Sequence, residues 1–206
     1  FSKPIKSLVS KVIRAGASID LDKQTPVVPI RHFKFNFTPE ELDVKFFMQK
    51  EWGTAYFAAL SIFLTYGEDL VIETARYHRD QIKDPVLKQR LTSLIGQEAI
   101  HSKVHNEYNE IMIPNHIPVQ LYRFLAEQVF KHTLLKFPQP LKLSMVAGIE
   151  HFTAVFAEYA MTHENIFNHS IDDKTRALWL WHMLEESEHK DIAYDTYQVL
   201  SANYPL

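Results

Sequence analysis

Apolar residues recur with the period of an α-helix along four long stretches of this chain. The stretches cover residues 51–81, 85–113, 140–166 and 172–201. No strand-like alternation of comparable length competes with them. Pro114, Pro118 and Pro138 separate the stretches, because proline interrupts a helix interior. The pattern therefore predicts an all-α protein.

Capping residues indicate where these helices begin. Asp84 is placed to cap the second long helix, and residues 170–172 can cap the fourth. Thr38 followed by Pro39 predicts the start of a further, short helix. Residues 118–136 are predicted to form a helix that links the two halves of the chain.

The lengths of the connections predict how the helices pair. Short connections within each half and a longer crossover between the halves favour a ferritin-like four-helix bundle, with additional N-terminal and crossover helices. We assign residues 38–206 to this bundle domain and residues 1–37 to an N-terminal arm. Within the arm, residues 1–16 are predicted as an amphipathic helix docked on the domain, and residues 17–37 as an extended segment laid across it.

The composition excludes several classes of protein. A net charge of -3 gives no electrostatic basis for binding nucleic acid, and the absence of cysteine excludes disulfides and zinc–thiolate sites. The sequence contains no uninterrupted run of about 18 apolar residues, so no transmembrane helix is predicted. We therefore expect a cytoplasmic protein in which His and carboxylate side chains would be the metal ligands.

Each long helix carries a carboxylate at the centre of its most apolar face. A rotation of about 100° per residue places Glu68, Glu98, Glu150 and Glu186 in line with aliphatic neighbours. A single inward glutamate is most often a hydrogen-bonded core group. Four of them would be prohibitive without compensation, whereas two divalent cations would neutralise them.

Histidines accompany two of these carboxylates in Glu-x-x-His motifs. Di-iron and di-manganese bundles share a ligand pattern in which two helices each supply one Glu and the other two each supply a Glu-x-x-His motif. His182 lies one turn before Glu186, and we predict it as a seventh ligand; the alternative is a hydrogen bond to a ligand carboxylate. The predicted metal ligands are Glu68, Glu98, His101, Glu150, His182, Glu186 and His189.

Other polar residues near this face receive different assignments. His105 lies one turn after His101, and we predict that it contacts the ligands without binding metal; coordination, proton transfer and a satisfied core position remain alternatives. Glu158, Glu185 and Glu188 flank the apolar face or point away from it. Surface exposure or pairing between helices is predicted for these three.

These residues resemble known families. The ligand set looks like that of ferritin-like di-iron proteins. Over residues 30–204 the chain is similar to a bacterial family described as "predicted metal-dependent hydrolase", with the resemblance carried by segments 97–101, 150–154 and 182–190. The pattern His-x-x-x-Glu-x-x-His at 182–189 is similar to the arylamine N-oxygenase branch of di-iron enzymes, in which the extra histidine is a ligand.

The ligand chemistry and the resemblance lead to three functional hypotheses. Carboxylates mixed with imidazoles suit iron or manganese, so two iron ions (manganese as the alternative) and O₂ are the predicted cofactors. The main hypothesis is a non-haem di-iron, O₂-dependent oxygenase or oxidase that acts on a small hydrophobic or amphipathic molecule and uses an electron donor. The alternative is a binuclear metal-dependent hydrolase. An iron- or metal-handling protein ranks third, and a homodimer is compatible with the sequence.

Overall fold

The computed structural model describes residues 28–42, 45, 47, 49–162, 172–189 and 191–201. These residues are mainly helical and contain no strand, which confirms the all-α prediction. The helices are α1 (Glu51–Arg79), α2 (Pro85–Met112), α3 (Val119–Val129), α4 (Gln139–Thr162), α5 (Asp173–His189) and α6 (Ile192–Ser201). Short 3-10 helices occupy Pro39–Glu41 and Leu134–Lys136. The helix predicted for residues 1–16 lies outside the described residues.

All three predicted helix starts are confirmed. The side chains of Asp84 and Asp172 accept hydrogen bonds from backbone amides in the first turns of α2 and α5, at distances between 2.8 and 3.0 Å. The predicted short helix begins at Pro39 as the 3-10 helix Pro39–Glu41, with Thr38 at its N-cap position, although the Thr38 side chain makes no cap hydrogen bond.

Two predicted helices are shorter than their sequence pattern. The linking helix α3 ends at Val129, where the next residue, Phe130, stacks its ring on Tyr66 with 6.3 Å between centroids. The predicted fourth helix is divided into α5 and α6 by a turn at Asp191. In both places the periodicity continues but the backbone follows tertiary contacts, which override local propensity.

Two helical pairs form the bundle. Helix α1 packs along α2 after the short connection at residues 80–84, and α4 packs against α5 and α6. The pairs meet where α1 contacts α4 and where α2 contacts α5 and α6. Residues 113–138, including α3, cross between the pairs, and α3 packs on α1. This agrees with the predicted helical bundle, while the specific ferritin-like assignment stays a prediction.

Two apolar clusters fill the bundle: α1, α2 and α4 contribute to both, whereas α5 contributes to the first and α6 to the second. The first contains Ile62, Tyr108, Ala157 and Trp179, and the second contains Leu70, Leu94, Val146 and Ile192. Chain order shows that α1 and the α5–α6 pair run from the first cluster to the second, whereas α2 and α4 run from the second to the first. Both pairs are therefore antiparallel. The residues between the two clusters are the ones that carry the predicted ligands.

Helix α1 is long and apolar enough to cross a membrane by length and composition alone. About 44% of its most apolar window is buried inside the protein. The helix contacts α2, α3 and α4, and it contains the buried carboxylate of Glu68. These contacts are those of the central helix of a bundle.

Residues 28–37 form an extended segment, which we call the N-terminal strap. Val28 and Phe35 of the strap are buried, and the Phe33 and Phe35 rings lie 5.9 and 5.7 Å from the Trp181 ring of α5. The predicted extended course is confirmed for these residues, and residues 17–27 lie outside the described part of the chain. The domain boundary at residue 37 stays a prediction, although the strap is packed into the core.

Candidate metal centre

Four helices bring four carboxylates into the middle of the bundle. Glu68, Glu98, Glu150 and Glu186 expose between 1% and 4% of their surface. They come from α1, α2, α4 and α5, at the level between the two apolar clusters. The helical periodicity therefore identified the inward-facing carboxylates correctly.

The two Glu-x-x-His histidines present the same ring nitrogen to these carboxylates. His101 Nδ1 lies 3.6 Å from both Glu98 Oε2 and Glu186 Oε1. His189 Nδ1 lies 2.8 Å from Glu98 Oε1 and 3.2 Å from Glu150 Oε2. Donor atoms bound at about 2.1 Å to one octahedral metal are about 3.0 Å apart. The observed spacings are compatible with shared coordination.

The Nε2 of each motif histidine donates a hydrogen bond to the residue directly before the glutamate of the other Glu-x-x-His motif. His101 Nε2 donates to Glu185 Oε2 at 2.9 Å, and His189 Nε2 donates to Gln97 Oε1 at 2.7 Å. Gln97 directly precedes Glu98, and Glu185 directly precedes Glu186. An acceptor at Nε2 leaves the Nδ1 lone pair for a metal and fixes the orientation of the ring.

These two hydrogen bonds correct one prediction and identify a further residue of the site. Glu185 is completely buried, so its expected surface position is wrong, whereas its expected pairing with another helix is confirmed by His101. Glu188 pairs with the strap, and Glu158 is exposed. Sequence reasoning missed Gln97, although a polar residue directly before Glu in both Glu-x-x-His motifs was a signal that could have found it.

His182 lies between carboxylates of two helices. Its Nε2 is 3.2 Å from Glu186 Oε1, and its Nδ1 is 3.9 Å from Glu68 Oε1. Within the described residues neither nitrogen has a hydrogen-bond partner. The position is compatible with coordination, and the assignment of His182 as a ligand stays a prediction.

His105 is held from behind by Ser61. The Ser61 hydroxyl donates to Asn109 Oδ1 at 2.7 Å, so it accepts from His105 Nδ1 at 2.8 Å. The buried Nε2 then carries a lone pair and has no partner among the described residues. One ring nitrogen of His105 lies within 4.8 Å of ligand atoms of Glu68 and His182. His105 thus borders the predicted ligands, and coordination remains open.

All the predicted ligands belong to one continuous cluster. Ligand atoms lie within 4.8 Å of one another in four groups of three: Glu68, His105 and His182; His101, His182 and Glu186; Glu68, Glu98 and His101; Glu98, Glu186 and His189. Glu150 joins through its 3.2 Å contact with His189. The structure therefore brings together all seven predicted ligands and His105.

Burial and mutual repulsion shift the pKa values of the carboxylates in opposite directions. Burial, aided by the charges of neighbouring carboxylates, raises the pKa of Glu68 well above its usual value and that of Glu150 to about 7. Burial also acts to raise the pKa of Glu98, but the charge of His189 and the closeness of both motif histidines outweigh it and lower this pKa to about 2.

The pKa values of the histidines are likewise shifted in opposite directions. Burial opposes protonation of His101 and His189, yet the carboxylates around them raise both pKa values well above the usual value. Burial and the charge of His101 lower the pKa of His182 well below its usual value and that of His105 to about 3. In the metal-free protein these shifts favour protonation of the two motif histidines, Glu68 and Glu150 over protonation of His182, His105 and Glu98.

Unpartnered polar atoms test whether the site fits a metal. Six of the seven predicted ligands contribute buried nitrogen or oxygen atoms that have no hydrogen-bond partner in the described part of the chain: Glu68, Glu98, His101, Glu150, His182 and His189. Such atoms are costly to bury unless something compensates them. Two divalent cations would provide partners for these atoms and balance the four carboxylate charges, so the donor set fits a metal pair.

The family described as "predicted metal-dependent hydrolase" matches residues 29–206. The chain belongs to this family. Neither a curated protein nor a solved structure matches the chain. The match to the metal-dependent hydrolase family begins inside the strap, so the family's common region includes strap residues as well as the helices.

A cavity in the described part of the protein lies beside the ligand cluster and not within it. It has a volume of about 380 Å³ and is formed between strap residues 32–37 and the outer side of α2 around Ile100, Lys103 and Val104. None of the predicted ligands lines it. Its walls combine aromatic rings with charged side chains.

Proposed function

We propose that this protein is a hydrolase that holds two divalent cations at the centre of its helical bundle. The observation that carries the proposal is the convergence of four buried carboxylates and the motif histidines with unpartnered ligand atoms. The family match supports hydrolysis as the reaction. Two divalent cations and four carboxylates are neutral together, which removes the main cost of burying the cluster.

The geometry supports a division of the ligands between two positions. Glu68, His101 and His182 surround one position, and Glu150 and His189 lie at the other. Glu98 and Glu186 approach both His101 and His189, so these two carboxylates are the candidates for bridging. The mixture of hard oxygens and imidazoles suits manganese or iron.

The cations would supply Lewis acidity toward the oxygen atoms of an ester or phosphoester substrate. The chain itself contributes the environment for that chemistry. The apolar clusters on both sides exclude bulk water, and the hydrogen bonds from His101 to Glu185 and from His189 to Gln97 orient the imidazoles. A low-dielectric surrounding strengthens the electrostatic interactions at the site.

A panel of chromogenic carboxylic esters and phosphoesters tests the proposal. The protein is stripped with chelator, reloaded with manganese, iron or zinc, and assayed under argon and in air. We expect hydrolysis that requires metal and proceeds equally in both atmospheres. Absence of turnover across the panel, with metal bound, would contradict hydrolysis.

Two glutamates on α4 provide a matched pair of variants. Glu150→Gln removes a predicted ligand charge, whereas Glu158→Gln makes the same change at an exposed position on the same helix. We expect the first variant to lose metal and activity and the second to retain both. Equal activity of the two variants would separate the reaction from this cluster.

The second candidate is oxygen-dependent oxidation of a small organic molecule at a di-iron centre. One specific observation favours it: His182 lies with four carboxylates and the two motif histidines, a nitrogen-rich set that resembles arylamine N-oxygenases. Insertion of one oxygen atom also requires two electrons from a reductant. Oxygen consumption that depends on iron, reductant and an organic substrate, without hydrolysis under argon, would favour this candidate.

A further inference from the structure

The N-terminal strap reaches the hydrogen bonds that hold the metal centre from outside. Arg31 of the strap extends between Glu185 and Glu188 of α5. The carbonyl of Pro29 lies 2.9 Å from Gln97 Nε2 of α2. Gln97 and Glu185 are the residues that bind the Nε2 atoms of His189 and His101. The strap is thus two hydrogen bonds away from each motif histidine.

We propose that Pro29 and Arg31 are positioning residues of the metal centre. Through Gln97, Glu185 and Glu188, they fix the orientation and the proton position of both Glu-x-x-His imidazoles. The inference rests on the proposed metal pair but does not depend on which reaction the pair supports.

On the His189 side, the strap determines which way the Gln97 amide faces. The Pro29 carbonyl and the Glu188 carboxylate can only accept, and Gln97 Nε2 lies 2.9 and 3.0 Å from them. Both amide hydrogens of Gln97 are therefore committed, and its Oε1 is left to face His189 at 2.7 Å. His189 must then carry its proton on Nε2. Its Nδ1 is then the ring nitrogen that faces the carboxylates and is left for a metal.

On the His101 side, Arg31 holds the carboxylate that accepts from the ring. Glu185 is completely buried, and the side chains of Arg31 and Glu188 are each 9% exposed. Arg31 Nη1 reaches Glu185 Oε1 at 3.2 Å, and both terminal nitrogens of Arg31 bind Glu188 at 2.8 and 2.9 Å. The planar guanidinium makes these contacts from two nitrogens in a fixed fork, whereas lysine would have to make them from a single nitrogen.

The contacts form one chain of hydrogen bonds that runs from one motif histidine to the other. Its members in order are His101, Glu185, Arg31, Glu188, Gln97 and His189. Arg31 is the only cation of that chain apart from the histidines themselves. Without it, two carboxylates would face each other in a site with almost no water, and Glu185 would lose its fixed position.

Metal affinity of an Arg31→Leu variant tests the proposal in the full-length chain. Changes to the groups that hold a metal-binding histidine typically weaken metal binding about 10- to 100-fold. We expect a loss in this range for manganese and a changed visible spectrum of the cobalt-substituted protein. Lys34→Leu is the matched control, because it removes the same charge from an exposed strap residue, and it should bind metal as the unaltered chain does.

A comparison of unfolding with and without metal separates positioning from simple structural support. A purely structural role of Arg31 would lower the stability of both forms equally and leave the metal-induced increment unchanged. Positioning of the ligands predicts that the increment itself shrinks. Arg31→Lys should restore affinity only in part, because lysine keeps the charge but lacks the rigid fork that binds Glu188 through two nitrogens.

Each outcome decides the inference. An unchanged metal dissociation constant in Arg31→Leu would overturn it, whatever happens to the stability of the metal-free protein, and would leave the proposed metal centre intact. Failure of the unaltered chain to bind metal would overturn both the inference and the proposed function. Loss of affinity in Arg31→Leu with retention in Lys34→Leu supports the inference.

Discussion

Glu185 of α5 accepts a 2.9 Å hydrogen bond from the Nε2 of His101, which lies 84 positions earlier on α2. The equivalent acceptor for His189 is the neutral amide oxygen of Gln97. The two motif histidines therefore have the same geometry but partners of different charge. A carboxylate acceptor makes an imidazole a stronger donor to a metal than an amide does. The two metal positions are predicted to differ in affinity for this reason.

The difference predicts the effect of Glu185→Gln. The variant keeps an acceptor oxygen but removes the charge, so the His101 position should lose up to about tenfold in metal affinity. Titration with manganese, followed by electron paramagnetic resonance, resolves the two binding steps. The step at the His189 position should be unchanged, because its acceptor is Gln97 and not Glu185. Equal weakening of both steps would contradict the asymmetry.

The sequence predicted the parts of the centre that depend on local periodicity. The positions of Glu68, Glu98, Glu150 and Glu186 followed from a rotation of about 100° per residue, because a buried helix face is a local property of the sequence. Asp84 and Asp172 were predictable as caps for the same reason, since a cap acts within its own first turn.

The partners of the ligands were not predictable in this way. Arg31 and Glu185 are 154 positions apart, and no periodicity in either segment indicates that they meet. Glu185 lies beside the apolar face of its own helix, so helix geometry alone assigned it to the boundary. It is buried because the strap covers that boundary. The break between α5 and α6 was missed for a related reason, since the apolar pattern continues through it.

His182 and His105 are expected to respond differently to substitution. His182 contacts carboxylates of both α1 and α5, whereas His105 is held by Ser61 on the side away from the cluster. We predict that His182→Ala weakens one metal position at least tenfold. His105→Ala should keep two metals per chain. Elemental analysis after dialysis measures the stoichiometry, and loss of a metal from the His105 variant would identify it as an eighth ligand.

Metal binding is expected to release protons and to strengthen as the pH rises. The pKa values of His101, His189 and Glu68 are raised in the metal-free protein, which favours the protonated forms of these groups. A metal must displace those protons to reach the ligand atoms. The pKa of Glu150, about 7, places part of the change in affinity within roughly one unit on either side of pH 7.

Calorimetry in buffers of different ionisation enthalpy measures this release. We expect at least the two histidine protons to appear on loading of both positions, and affinity to fall as the pH is lowered through the raised pKa values. A binding enthalpy that is the same in every buffer, with affinity independent of pH, would be incompatible with protonated motif histidines.

The pKa values of Glu68 and Glu98 are shifted in opposite directions. Replacement of these two glutamates by glutamine is therefore expected to change the stability of the metal-free protein to different extents. Burial raises the pKa of Glu68 well above its usual value, which favours the neutral carboxyl in the metal-free protein. Glu68→Gln should therefore leave the free energy of unfolding of the metal-free protein nearly unchanged. Glu98 is ionised, with a pKa of about 2, and balances the charge of His189. Glu98→Gln should cost about 3 kcal/mol, because it leaves a buried charge without its partner.

With metal present, the Glu68→Gln variant should be clearly less stable than the unaltered chain. Saturating metal stabilises a protein that binds it only when folded, by about 4 kcal/mol at a thousandfold excess over the dissociation constant. The unaltered chain should gain this increment, and Glu68→Gln should lose most of it despite its normal stability without metal. Chemical denaturation with manganese or with chelator provides all four free energies. A full increment in Glu68→Gln would remove Glu68 from the ligand set, because its charge would then contribute nothing to holding the cations.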